Sequence, residues 1–146
     1  MISLVTGGAG FVGSHLTDNL IENGSKVIVI DNLSTGEEQN INKNADFIEG
    51  SLEEINLKKI FQKVDYIFHA AALPRIQPSF DRPEEHDVAN VQNTLKVLNA
   101  AKSNNIKKII YSGSSSIYGN PSEIPTSENA KANPLNPYSL QKYTAE

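Results

Sequence analysis

Short apolar runs alternate with helical patterns from the first residues of the chain. The runs that predict buried strands lie at Ile2–Val5, Val27–Ile30, Phe47–Ile48, Tyr66–Phe68 and Lys107–Tyr111. The helical patterns lie at Phe11–Asn23, Leu52–Gln62 and Glu84–Ser103, and a last one begins at Tyr138. Strands that alternate with crossover helices predict an α/β fold, in which a doubly wound parallel sheet of Rossmann type has helices on both faces. The ligand crevice of such a fold lies beyond the carboxyl ends of the strands.

Two segments carry the prolines that interrupt this alternation. We expect both to be mainly loops, although Ser79–Phe80 in the first could start a turn of helix. They are the stretch from Pro74 to Pro83 and the stretch from Ser112 to Pro137. The last helical pattern reaches Glu146 without a capping residue, a glycine or a proline to end it. We therefore expect residues 1–146 to form one dinucleotide-binding domain, the N-terminal part of a longer protein.

Composition narrows the classes of function. The 146 residues carry a net charge of −4 and include no cysteine. Disulfides, thiolate metal sites and cysteine nucleophiles are therefore excluded, and we expect no metal site. Without a basic run, a nucleic acid is not an expected partner. The N-terminus does not resemble a signal peptide, and no apolar stretch approaches the ~20 residues of a membrane span. We therefore expect a cytoplasmic protein.

A glycine-rich turn follows the first predicted strand. Gly8, Gly10 and Gly13 form a G-x-G-x-x-G motif, and Gly7 with Gly10 and Gly13 adds the G-x-x-G-x-x-G form. Glycines allow a tight turn and let backbone N–H groups approach a pyrophosphate, while the positive end of the helix dipole faces the phosphates. Asp31 ends the next strand, where its carboxylate can accept both ribose hydroxyls and repel a 2′-phosphate. These residues predict a dinucleotide site that prefers NAD over NADP.

A tyrosine and a lysine lie four residues apart on the last predicted helix. Tyr138 and Lys142 therefore share one helix face, and they follow the serine-rich loop 112–116 at the carboxyl edge of the sheet. The segments TGGAGFVGSHL, DNLSTG, HAAA, SGSSSIYGNP and PYSLQK together resemble the extended short-chain dehydrogenase/reductase family, and above all its nucleotide-sugar 4-epimerases. The resemblance covers all 146 residues.

This resemblance implies three catalytic residues. Tyr138 matches the catalytic base, Lys142 the lysine that activates it, and Ser114 the residue that hydrogen-bonds the substrate hydroxyl. A free tyrosine has a pKa of ~10, so a tyrosine base near neutral pH needs ~4 kcal/mol of stabilisation. One positive charge ~4–5 Å away supplies about that much at an effective dielectric constant of ~20. The implied reaction is transient oxidation of the sugar C4 hydroxyl by NAD, followed by reduction of the 4-keto sugar from the other face.

The resemblance also implies a set of NAD-binding residues. They lie around the pyrophosphate turn, beside the adenosine, beyond the fourth strand and on the nicotinamide side, and they are Gly7, Gly10, Phe11, Val12, Gly13, Asp31, Asn32, Ser34, Gly36, Ser51, Leu52, Ala70, Ala71, Leu73, Asn90, Tyr138 and Lys142. His69 ends a strand, where a histidine more often satisfies neighbouring backbone, and we do not expect it to be catalytic.

Several residues depart from the family's patterns. Many members have an acidic residue at the position of Ser51, and a serine at that of Gly113. Sugar 4,6-dehydratases carry Asp-Glu where this chain has Ser115 and Ser116, which cannot do that acid–base work. The leading hypothesis is thus a 4-epimerase that acts on a UDP-hexose as a homodimer. We expect this activity of the full-length protein, and only little of it from residues 1–146 alone. The alternatives are a reductase, decarboxylase or dehydratase of the same family, or an NAD-binding module without activity.

Overall fold

The computed structural model describes all 146 residues, which form five strands and six α-helices. The strands are β1 (Ile2–Thr6), β2 (Lys26–Asp31), β3 (Asp46–Glu49), β4 (Tyr66–His69) and β5 (Lys108–Tyr111). The helices are α1 (Phe11–Glu22), α2 (Leu57–Phe61), α3 (Ile76–Asp81), α4 (Pro83–Asp87), α5 (Asn93–Lys102) and α6 (Pro137–Ala145). Short 3₁₀ turns lie at Glu38–Asn40 and Ser115–Tyr118, and a π-helical turn at Val88–Gln92 joins α4 to α5.

All five strands are parallel and lie in the order β3-β2-β1-β4-β5. The chain runs outward from β1 to β3 on one side and then returns to place β4 and β5 on the other. The direction of winding reverses between β1 and β4, and at such a point the loops after the strands separate and leave a crevice. The predicted Rossmann-type doubly wound sheet is therefore confirmed.

Both faces of the sheet are covered, which explains why its strands are apolar at consecutive positions. In β1, Leu4 joins a core cluster with Phe61 of α2 and Val97 of α5. Its neighbour Val5 points to the opposite face and packs in a second cluster with Leu16 and other residues of α1. Successive side chains of a strand alternate between faces, so one five-residue strand anchors helices on both sides. The expectation of helices on both faces is confirmed.

The helices differ from the sequence prediction in three places. The pattern predicted at Leu52–Gln62 begins as a turn, because Asn56 accepts the N–H of Lys59 and starts α2 only at Leu57. The segment expected to be a proline loop contains the six-residue helix α3. The long helix predicted at Glu84–Ser103 is helical throughout but takes up one π turn, a feature that the 3.6-residue pattern does not reveal. No helix has the length and apolar character that crossing a membrane requires.

Candidate active site

A cleft of about 1100 Å³ opens at the carboxyl ends of β1 and β4, at the point where the winding reverses. It extends from the end of β2 to the first turn and a half of α6. The sequence-predicted residues that line it are Gly7, Gly10, Phe11, Val12, Gly13, Asp31, Asn32, Ser34, Ser51, Leu52, Ala70, Ala71, Leu73, Tyr138 and Lys142. Gly36, Asn90 and Ser114 are the predicted residues that do not line it. The cleft thus brings the glycine turn and the Tyr138–Lys142 pair together.

The glycine turn between β1 and α1 has no room for a side chain at Gly7, Gly8 or Gly13. Gly7 has a φ of +73°, and a Cβ there would lie 2.7 Å from the Cα of Ala71. A Cβ on Gly13 would press against the carbonyl group of Gly7. Helix α1 begins at Phe11, and its first turn carries no acidic residue. Close-packed backbone followed by an uncompensated helix N-terminus fits the pyrophosphate of a dinucleotide.

Asp31 ties the end of β2 to the glycine turn. Its Oδ2 accepts the backbone N–H of Ala9 at 2.9 Å, and its Oδ1 accepts that of Leu33 at 2.8 Å. The carbonyl oxygen of Ala9 in turn accepts the Asn40 side-chain amide at 2.9 Å. A Cβ on Gly36 would come within 2.7 Å of Ala9, so Gly36 packs behind the turn. Each carboxylate oxygen of Asp31 can accept further hydrogen bonds.

Helix α6 carries Tyr138 and Lys142 and is fixed at its N-terminus. Asn136 and Ser139 form a capping box, in which Asn136 Oδ1 accepts the Ser139 N–H at 2.9 Å and Ser139 Oγ accepts the Asn136 N–H at 3.2 Å. The backbone N–H of Tyr138 donates to the hydroxyl of the buried Ser79 in α3 at 3.1 Å. The tyrosine ring therefore enters the cleft from a backbone that is anchored on both sides.

Lys142 is a buried cation, with only 4% of its surface exposed. Its Nζ donates to the carbonyl oxygen of Ser112 at 2.6 Å and lies 4.3 Å from the centre of the Tyr111 ring. Burial lowers the pKa of Lys142 to about 8, against the opposing charge of Glu146. Burial likewise raises the pKa of Tyr111 to about 12, so its phenol stays protonated. Lys142 consequently carries its charge at neutral pH. Because the site is buried, solvent screens this charge poorly and it interacts strongly with neighbouring groups.

Ser114 lies outside the cleft lining, half-buried at the start of the 3₁₀ turn after β5. Its hydroxyl lies 2.8 Å from that of Ser116 and accepts the Ser116 N–H at 3.3 Å. The hydroxyl is thus engaged within its own turn, and its contact with a substrate hydroxyl stays a prediction.

Asn90 sits on the π turn, 1% exposed, behind the wall of the cleft. Its side-chain Oδ1 accepts the N–H of Leu73 at 2.8 Å, and its Nδ2 donates to the carbonyl oxygen of Leu73 at 3.1 Å. The same Nδ2 lies 3.2 Å from Oε1 of Gln141 on α6. Asn90 therefore holds the cleft-lining Leu73 against helix α6, and a direct contact with the cofactor stays a prediction.

His69 is buried with both ring nitrogens occupied. The Thr94 hydroxyl donates to the Asn90 carbonyl at 2.7 Å, so it accepts the Nε2–H of His69 at 3.0 Å. The Nδ1 is then free to accept the Thr6 hydroxyl at 2.6 Å. Burial, with a smaller contribution from the charge of Lys142, lowers the pKa of His69 to about 4. The histidine is a neutral link between hydroxyl groups, and its expected lack of a catalytic role stays a prediction.

One part of the cleft wall, between β4 and α5, was not predicted from the sequence. Arg75, Arg82, Glu85 and His86 all line the cleft there. Arg82 and Glu85 form an ion pair, with 3.0 Å between Nη1 and Oε2. The only sequence signal at these positions was a cluster of charges among prolines, which is equally typical of a solvated loop.

Comparison with known proteins matches nearly the whole chain to one protein family. Residues 3–146 match the model of the NAD dependent epimerase/dehydratase family. A putative UDP-glucose 4-epimerase of Methanocaldococcus jannaschii is 42% identical over 146 residues, which are 98% of this chain and 48% of that protein.

Two solved structures show how closely the fold agrees. UDP-glucose 4-epimerase from Thermotoga maritima with UDP-glucose has a TM-score of 0.94 at 41% identity, over 99% of this chain and 48% of that one. UDP-glucose 4-epimerase from Brucella ovis in complex with NAD has a TM-score of 0.91 at 35% identity, over 99% of this chain and 45% of that one. The chain spans about half the length of the curated relatives it matches.

Proposed function

Because the chain belongs to the NAD-dependent epimerase/dehydratase family, as its motifs predicted, we propose that it is the dinucleotide-binding and catalytic part of a nucleotide-sugar 4-epimerase. One observation carries the proposal. Tyr138 and Lys142, on one face of α6, line the same cleft as the glycine turn after β1. A hydride carrier held by that turn and a base on that helix would therefore both reach the same substrate molecule bound in the cleft.

The residues of the cleft fit NAD, whose binding is a property of the family. The glycine turn and the first turn of α1 would hold the pyrophosphate, Asp31 the adenosine ribose, and the wall at Ala70, Ala71 and Leu73 the nicotinamide half. When bound, NAD supplies a hydride acceptor and, once reduced, a hydride donor, so oxidation at C4 and re-reduction leave no net redox change.

Proton transfer falls to Tyr138. Its oxygen takes the proton of the C4 hydroxyl while the C4–H bond breaks, and it returns that proton when the 4-keto sugar is reduced on its other face. The charge of Lys142 stabilises the tyrosinate in a poorly solvated site. The hydrogen bond to the Ser112 carbonyl and the face of the Tyr111 ring hold that charge in place.

We further propose a UDP-hexose as the substrate. Several relatives and solved neighbours are UDP-glucose 4-epimerases, and two solved neighbours contain UDP-glucose. Ser115 and Ser116 disfavour a dehydratase, since neither side chain is an acid. A reductase or a decarboxylase shares the site residues of an epimerase, and an NAD-binding module without activity would need only the cofactor half of the cleft.

A turnover assay distinguishes these functions. The NAD-loaded full-length protein should interconvert UDP-glucose and UDP-galactose, or their N-acetyl forms, without accumulating NADH. Absorbance at the NADH band and chromatography of the sugar nucleotides report the two quantities together. NADH formed in proportion to product, or release of water or carbon dioxide, would assign one of the sister activities; NAD binding without turnover would leave a binding module.

Asp31 should set the cofactor preference. We expect NAD to bind at least about tenfold more tightly than NADP, because the Asp31 carboxylate would face the 2′-phosphate. Asp31→Asn should bring the two affinities close together while it keeps one acceptor for the Ala9 N–H. Calorimetric titration with both dinucleotides measures the ratio, and Glu53→Gln, at another acidic residue of the cleft, is the matched control. An unchanged ratio in Asp31→Asn would remove Asp31 from this role.

We also propose a homodimer. Large apolar side chains are exposed on α5 and α6, among them Leu98 at 44%, Leu140 at 56% and Tyr143 at 50%. Exposed apolar groups on neighbouring helices favour an interface between copies. The proposed compartment is the cytoplasm, because the proposed cofactor and substrate are charged diphosphates that do not cross membranes unaided.

A further inference from the structure

Arg75 lies on a segment that is fastened to the catalytic helix on both sides. Two residues before it, Leu73 is held by Asn90, which also reaches Gln141 of α6. Four residues after it, Ser79 accepts the backbone N–H of Tyr138. Arg75 itself lines the cleft and is exposed. Its side chain therefore belongs to the end of the cleft where Tyr138 lies, and away from the adenosine end at Asp31.

The backbone of Arg75 has a conformation that normally requires glycine. Its φ is +82° and its ψ is 142°, beside a region that residues with a Cβ rarely occupy. Such backbone strain persists where surrounding structure enforces it, and it concentrates at binding and catalytic sites. Glycine would relieve the strain at this position, yet the chain has arginine there. The strained backbone therefore positions an arginine side chain.

Arg75 is also the exposed cation of the cleft that has no partner. The other positively charged residues of the lining are Arg82, which is paired with Glu85, and Lys142, which is buried against the Ser112 carbonyl. Burial lowers the pKa of His86, so that ring is uncharged at neutral pH. No ion pair or side-chain hydrogen bond of the structure involves Arg75. Its guanidinium is free for a ligand.

We propose that Arg75 binds an oxyanion of the nucleotide sugar and thereby orients the sugar toward Tyr138. This inference rests on the proposed function. The guanidinium matches two ligand groups of the same chemistry, a diphosphate oxygen or a carboxylate on the sugar, because its planar fork pairs with either. Arg75 is thus a substrate-binding residue supplied by this half of the cleft.

Binding of two nucleotide sugars to the NAD-loaded protein tests the proposal. UDP-glucose carries only the diphosphate, whereas UDP-glucuronic acid adds a carboxylate at C5. Arg75→Gln should weaken binding about tenfold or more in calorimetric titrations, the loss expected for a charge-assisted hydrogen bond. The affinity for NAD, titrated first, should change less than twofold. Arg82→Gln removes the same charge from an ion-paired position of the same cleft and should have little effect.

The outcomes separate the sources of the oxyanion. An equal loss for both sugars supports a contact to the diphosphate, and a loss confined to UDP-glucuronic acid supports a contact to the carboxylate. Unchanged binding of both, an equal loss in Arg82→Gln, or a loss for NAD alone overturns the proposal. If the unaltered protein binds and epimerises UDP-sugars while Arg75→Gln behaves identically, the proposed function stands and only this inference fails; if it binds neither sugar, both fail.

A second variant excludes simple misfolding. Arg75→Gly removes the charge and relieves the strain, so its midpoint of thermal unfolding should equal or exceed that of the unaltered protein. Its affinity for the nucleotide sugar should nevertheless fall as in Arg75→Gln. Retained affinity in Arg75→Gly would show that the side chain has no role in binding.

Discussion

In the full-length protein, Tyr138→Phe should lower the proposed epimerase turnover at least about a hundredfold and leave the affinity for NAD within about threefold. General acid–base catalysis by one positioned group contributes on the order of 10²–10⁴ in rate, and phenylalanine removes only the oxygen that carries the proton. The ring keeps its place, because the Tyr138 backbone N–H still donates to Ser79 and the helix cap is intact. Steady-state kinetics and NAD titration measure the two effects separately.

Tyr143→Phe is the matched control, because Tyr143 lies on the same helix but is half exposed and outside the cleft. Lys142→Met should also lower turnover by orders of magnitude, since it removes the charge that stabilises the tyrosinate. It should weaken NAD binding more than Tyr138→Phe does, because we expect Lys142 also to touch the nicotinamide ribose. Near-normal turnover in Tyr138→Phe would exclude this tyrosine as the base.

Gly13→Ala should abolish most NAD binding, with an affinity loss of about a hundredfold or more. The new Cβ would press on the Gly7 carbonyl group and come within 2.8 Å of the Gly8 Cα, so the turn that faces the pyrophosphate must move. Overpacking of this kind also costs about 1–3 kcal/mol of unfolding free energy. Calorimetric titration with NAD and urea unfolding of the same preparation give both quantities.

Gly24→Ala separates the two effects of that substitution. Gly24 ends α1 with a φ of +78°, and a Cβ there meets nothing within 4 Å. Alanine should therefore lower the unfolding free energy by about 1 kcal/mol through backbone strain and leave NAD affinity unchanged. If Gly13→Ala bound NAD as tightly as Gly24→Ala does, the close packing of the glycine turn would have no part in cofactor binding.

The parts of the site that the sequence predicted are those whose chemistry is local. The turn at Gly7–Gly13 needs glycine because of its own backbone, and Asp31 follows at the spacing that one crossover helix imposes. Tyr138 and Lys142 share a helix face whatever else surrounds them. Motifs of this kind can be recognised before the fold is known, and here the sheet order confirms the architecture that they imply.

The wall between β4 and α5 could not be predicted in the same way. Its shape depends on the Ser79 hydroxyl, which meets a backbone N–H 59 residues further along the chain. It also depends on the amide of Asn90, which the π turn directs toward Leu73. Neither contact leaves a periodic pattern in the sequence. Arg75 was therefore predicted only as part of a loop. Likewise, Ser114 was predicted from its place in a motif, whereas its hydroxyl orientation depends on Ser116.

The backbone of Ala9 is held at both of its polar groups, by the Asp31 carboxylate at its N–H and by the Asn40 amide at its carbonyl. None of these partners is a ligand, so the phosphate-facing backbone is ordered by the fold itself. The conformational entropy of that loop is consequently lost during folding and not during complex formation. For the proposed NAD site, this preorganisation predicts that encounter, rather than loop rearrangement, limits the association rate.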